Sequence, residues 1–255
     1  MKTPYLSILI LAISTSILSS CKNEKQNGDS SEKMVVTDTL QKNGQPEFLY
    51  VTAPSGLTLR AENTTSSEKL VVMVYGTKVR VVNPETENTM NVNGIEGGMD
   101  ELEFNSQKGF AFNGFLSKFF PPKENASAKS YVEELKKDFP KTSYKETVAE
   151  SVSNPSKTET VLLPTNKWHE AFYIAQQLFD VPKGFAIPNP KGSNSETVED
   201  NNRKKGLFAS TLSISRNNNA LQKIEYSYGG EGFGGSVSIT KEGDAMKIER
   251  VEVAD

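Results

Sequence analysis

Cysteine, histidine and tryptophan each occur once in this 255-residue chain, as Cys21, His169 and Trp168. A single cysteine excludes any intramolecular disulfide. A single histidine excludes the usual multi-histidine zinc site, and no metal or other cofactor is expected. With Cys21 near the N-terminus and His169 alone, a cysteine–histidine hydrolase has no pair to work with. A serine triad would have to use His169, and no glycine-flanked nucleophile elbow is present. The formal charge of −3, without an arginine-rich stripe, excludes a nucleic-acid partner. Long apolar runs are also missing. The best, residues 6–18 (LSILILAISTSIL), is shorter than the roughly 20 residues that a bilayer span needs.

What is present begins with that run. Lys2 before it and small residues after it make residues 1–20 a secretory signal, removed in the mature protein. Leu18-Ser19-Ser20-Cys21 resembles the lipobox of bacterial lipoproteins. The resemblance implies that Cys21 is lipidated, becomes the first mature residue, and holds the protein to a membrane by acyl chains. Lys22, where enteric inner-membrane lipoproteins carry aspartate, points to the outer membrane, facing the periplasm or the cell surface. Residues 21–46 are too polar to bury surface that would offset the entropy of ordering them, and read as a flexible tether.

From Glu47 the pattern changes to short β-prone runs punctuated by glycine or proline: residues 48–51, 57–60, 69–74 and 78–82. Ser55-Gly56-Leu57-Thr58-Leu59-Arg60-Ala61, then Tyr75-Gly76-Thr77-Lys78-Val79, then Lys108-Gly109-Phe110-Ala111-Phe112 and Gly114-Phe115-Leu116-Ser117 resemble a bacterial SH3 domain over residues 47–120. The resemblance implies an SH3-like β-barrel that serves as a binding or spacing module of the cell envelope. It lacks the family's usual tryptophan, since this chain reads Gly98-Met99-Asp100 there, with Met99 as the core filler. Glu96, Asp100, Glu101 and Glu103 make the neighbourhood acidic, and Asp100 and Glu101 are candidates for a cationic ligand against the simpler reading of a solvated strand edge.

Phe119-Phe120-Pro121-Pro122 and the polar residues after it mark a boundary. Residues 121–255 read as a separate α+β domain. Tyr131, Leu135 and Phe139, four apart, predict a short helix stopped by Pro140. One long helix is expected over residues 166–179, with Asn166 as N-cap, Trp168 packing and His169 facing solvent. Residues 144–152 fit helix or strand equally, and 191–205 read as a polar loop. The segments 207–215, 221–228, 237–240 and 246–253 predict an antiparallel sheet with one buried face. The fold class expected is therefore mainly β.

Gly229-Gly230-Glu231-Gly232-Phe233-Gly234-Gly235 lies between two of those strands. A phosphate cradle needs a helix after the glycines, and a strand follows here, so the segment reads as a hairpin with Glu231 and Phe233 as candidate binding residues. The expected function is a non-catalytic lipoprotein binding peptidoglycan or an envelope protein. The alternatives are a carboxylate-based cell-wall hydrolase and an inhibitor that covers another enzyme's site with the Phe233 loop.

Overall fold

Apolar–polar alternation over short runs produces strands, and sixteen of them form among the described residues, with two α-helices. The structure is a computed structural model that describes residues 47–149 and 155–254. The signal, Cys21 and the tether lie outside the described residues. Among those described, no helix is long and apolar enough to cross a membrane. The protein is mainly β, with two seven-stranded antiparallel sheets.

The first sheet contains β1 (Phe48–Val51), β2 (Leu57–Arg60), β3 (Lys69–Met73), β4 (Lys78–Asn83), β7 (Met99–Phe104), β8 (Gln107–Phe112) and β9 (Leu116–Ser117). Its order is β3-β2-β8-β7-β4-β1-β9. A small hairpin, β5 (Met90–Val92) with β6 (Ile95–Gly97), forms within what reads in the sequence as a loop. Strand alternation sends Leu57, Leu59, Met73, Val79, Val81 and Leu102 into one core. Met99 is buried there too, filling the place expected of it.

The second sheet is built from β10 (Ser143–Ala149), β11 (Ser156–Leu163), β12 (Ser195–Glu199), β13 (Leu207–Asn217), β14 (Ala220–Gly230), β15 (Phe233–Glu242) and β16 (Ala245–Ala254), in the order β10-β11-β16-β15-β14-β13-β12. The ambiguous segment after Tyr144 is a strand because β11 offers it a hydrogen-bonding edge. β12 emerges from the polar 191–205 segment and pairs with β13 for the same reason. Its residues are all exposed, so no apolar alternation announces it. Phe119 belongs to this second core, and Phe120 packs against it.

Two helices complete the fold. α1 (Ala128–Leu135) starts where the Ser127 side chain accepts a hydrogen bond from the Ser130 N–H at 3.1 Å. It buries Ala128, Tyr131, Val132 and Leu135, the i, i+3, i+4, i+7 stripe that an amphipathic helix lays on a core. α2 (Trp168–Leu178) corrects two expectations. Asn166 does not cap it. The N-cap position falls on Lys167, without a side-chain cap, and just before it the Thr165 hydroxyl accepts from the Lys167 N–H at 3.2 Å and donates to the Glu170 carboxylate at 2.5 Å. His169 is buried rather than solvent-facing, because α2 is covered on more than one side. It contacts β15 and β16, and its Tyr173 and Gln176 stand beside Pro54, Asn93 and Phe115 of the first sheet's loops.

Candidate functional site

Register on the second sheet lines up three cross-strand rows on the face that carries α2. The first row is Ile214, Ile224, Ile239, Ile248 and Val161, all buried under the helix. The second is Leu212, Tyr226, Val237, Arg250 and Glu159. The third is Ser210, Tyr228, Gly235, Glu252 and Lys157. Moving along the strands, the face therefore passes from purely aliphatic to aromatic and charged at the point where the helix ends at Phe179. A cavity of about 250 Å³ opens there, lined by Phe179, Tyr226, Tyr228 and Phe233 with Lys204, Lys205, Arg250 and Glu252.

The glycines of the 229–235 segment shape this cavity. Tyr228 stacks on Tyr226, with ring centroids 5.6 Å apart, and leans across β15 because Gly235 has no side chain. A Cβ at Gly235 would stand 2.7 Å from the Tyr228 hydroxyl. Phe233 folds its ring onto Gly230, its direct cross-strand partner, where a Cβ would collide with it. The chain reverses through Glu231 and Gly232, and Gly232 takes the left-handed φ of +75° that the tight turn demands. A bulge at Phe208 turns that ring outward, 71% exposed, against Gly229.

Charge in the cavity is arranged rather than scattered. Arg250 holds Glu159 with one Nη and Glu252 with the other, the latter at 3.3 Å, and lays its guanidinium 5.2 Å from the Phe179 ring centre. Its Nε has no partner among the described residues. Glu159 also accepts from the Tyr144 hydroxyl at 2.8 Å, and Lys157 reaches both Glu146 and Glu159. This network draws the Glu146 carboxyl below its ordinary value, chiefly through the Tyr144 hydrogen bond and then the one from Lys157. Burial first, then the Glu252 carboxylate, pushes the Tyr228 phenol up. At the rim, neither lysine side chain of Lys204 or Lys205 makes an ion pair or hydrogen bond among the described residues.

The candidates named from sequence fall in different places. Phe233, 47% exposed, lines the cavity. Glu231 sits in the two-residue turn and is exposed, outside the cavity lining. Asp100 and Glu101 belong to β7 and alternate to opposite faces, so they do not converge. Asp100 is buried, accepting from the Glu85 N–H and the Asn113 side-chain amide, each at 2.8 Å, and burial raises its carboxyl. Glu103 pairs with Arg80. Among the described residues no group of three or more His, Cys, Asp or Glu side chains is placed to hold a metal ion. His169 stands in α2, its Nε2 unpartnered and its imidazole driven down to about 3 by burial, then by Lys167.

Tyr226, Tyr228, Arg250, Lys204 and Lys205 were not singled out by sequence. The one signal for the tyrosines is their alternation with Ile224, which places them on its face without saying that the helix stops short of them. A larger cavity of about 410 Å³ lies between the 184–189 segment and β12. Its acids are already engaged: Glu196 with Arg216, Glu199 with Arg203, and Asp200 with the Ser210 hydroxyl.

Compared with known proteins, the chain matches no family profile and no curated sequence. Among solved structures, the crystal structure of CalU16 from Micromonospora echinospora aligns with 44% of this chain and 70% of its own, at 14% identity and a TM-score of 0.20. A likeness that slight carries neither fold nor function to this chain.

Proposed function

We propose that this protein is a non-catalytic lipoprotein of the bacterial envelope, anchored through Cys21, that binds peptidoglycan in the aromatic cavity beside Phe233. One observation carries the binding reading: four aromatic rings and several planar polar side chains converge in a single cavity. The C–H face of a sugar ring is apolar and weakly positive, and it matches the negative face of an aromatic ring. Its hydroxyls match carboxylates and cationic N–H groups. At about 250 Å³ the cavity falls just below the roughly 300–1,000 Å³ of sites that hold drug-sized ligands, and suits one ring rather than an extended chain.

Two features support binding over hydrolysis. A carboxylate-based hydrolase keeps its two acids apart with substrate and water between them. Glu159 and Glu252 are instead bridged by the Arg250 guanidinium. The single histidine is buried in the helix outside the cavity lining. The anchor, the SH3-like character of residues 47–120 and an outer-membrane location remain proposals resting on sequence. The exposed Phe208 favours a second reading, in which the same end of the sheet meets an envelope protein.

The test is co-sedimentation of the full-length protein with purified sacculi. Tyr228→Ala with Phe233→Ala should abolish retention, and Phe208→Ala should leave it intact. Retention unaffected by the double substitution, or no retention of the unaltered protein, overturns the glycan reading. Retention of an envelope protein lost on Phe208→Ala would move the weight to the second reading.

A further inference from the structure

We propose that the cavity beside Phe233 prefers a pyranose ring that carries a carboxylate over its neutral counterpart, with the ring on Tyr228 and Phe233 and the carboxylate at Lys204 and Lys205. The inference deepens the glycan reading and depends on it.

The argument is a charge account of one cavity. Arg250 lines it but is already committed, with its two terminal nitrogens on Glu159 and Glu252 and its face on Phe179. It is a fixed wall rather than a free cation, and Glu252 is likewise held. The groups left to meet a ligand's charge are Lys204, Lys205 and Asp180. Asp180 is exposed, on a backbone turned to a φ of +53° directly after the buried Phe179. Against that one acid stand two lysines without an ion pair among the described residues. Behind them one Arg250 guanidinium faces both the Glu159 and the Glu252 carboxylates, so the unpaired positive charge is local to the lysine rim and does not extend through the cavity.

Position adds to sign. Both lysines precede Leu207, which pairs with Gly230, and Phe233 pairs with Gly230 from the other side. Lysine rim and aromatic ring thus flank the same glycine. A ring seated on Phe233 holds its substituents within reach of two flexible ammonium groups. A charge-assisted hydrogen bond is about twice as strong as a neutral one, and on a rim next to apolar rings it discriminates between an acid and its neutral analogue.

The experiment titrates the full-length protein with N-acetylmuramic acid and with N-acetylglucosamine, which share the ring and differ by the carboxylate-bearing ether. Binding is read by calorimetry or by NMR shifts at low and at high salt. The acid should bind about tenfold tighter at low salt, and the margin should shrink as salt screens it. Lys204→Gln with Lys205→Gln, both at exposed positions, should remove the margin by weakening binding of the acid about tenfold more than binding of the neutral sugar. Equal binding of the two sugars, or a margin that survives the double substitution, overturns the carboxylate preference while the glycan reading stands. Failure of both sugars to bind, or binding indifferent to Phe233→Ala, overturns the glycan reading and this inference together.

Discussion

Gly235 shows how much a single missing atom can place. Its lack of a Cβ lets the Tyr228 ring lie across β15 toward Glu252. Gly235→Ala should force that ring away and also crowd the Val251 carbonyl oxygen, 2.5 Å from the added Cβ, at a cost of about 1–3 kcal/mol, as overpacking does. Gly184→Ala, where nothing lies within 4 Å, should be nearly neutral in the same urea titration. His169 makes a second prediction at this scale. Its folded-state value of about 3 lies below the ordinary 6.5, so the unfolded chain binds a proton that the folded protein refuses. Stability attributable to this group is therefore intact above pH 6.5 and falls as pH drops from 6.5 towards 3, by roughly 3–5 kcal/mol in all. His169→Gln should flatten that part of the profile, seen as a smaller drop in melting temperature between pH 6.5 and pH 4.

At the scale of elements, the polar loop from Asn189 into β12 has no apolar stripe of its own, and between the buried Phe185 and the β12–β13 ladder it is clasped by Arg216. Arg216, buried near the end of β13, donates to the Asn189 carbonyl at 3.0 Å and the Ser193 carbonyl at 2.9 Å, and pairs with Glu196 at 2.9 Å. Hydrogen bonds to a charged group contribute about 1.5–3 kcal/mol each to what they hold. Arg216→Met should release this segment, with faster amide exchange across 189–199 and little change in β14–β16. Unchanged exchange would place the hold elsewhere. This element also marks the limit of local reading. β13, β14 and β16 are legible because alternation betrays them. β12 carries no such signal and exists because the edge of β13 needs a partner. α1 was legible from Tyr131 and Leu135, whereas Phe139 lies beyond the helix and stacks edge-on against Phe119 instead.

Across the whole molecule, the two cores are joined by few side chains. Ile187 packs against both. Tyr50 meets Phe120 at 6.4 Å, and Phe120 meets Tyr131 at 5.4 Å, in an edge-to-face chain that leads from β1 to α1. Tyr75 faces Gln177 of α2, and its phenol is raised to about 12 by burial. The unaltered protein should melt in one calorimetric transition. Phe120→Ala with Ile187→Ala should split it into two, since each core keeps its own buried strands. A single transition in that variant would show that the α2 contacts alone couple the sheets.

The sequence by itself determined the type of the elements that alternate or carry a helical stripe, and which residues are apolar enough to be core, because alternation and turn chemistry are properties of neighbouring residues. It also placed Phe233 on a hairpin. It did not determine β5, β6, β10 or β12. Only the tertiary structure decided that Phe233 joins Tyr228, Arg250 and the two lysines, that Asp100 is spent inside the first sheet, and that His169 is buried. Those outcomes depend on register between strands far apart in the chain and on what covers a helix from its second side. The alternation of Ile224, Tyr226 and Tyr228 puts the tyrosines on the buried face, but which side chains of β15, β16 and the 204–205 segment meet them there is set by register across the sheet and not by any local pattern.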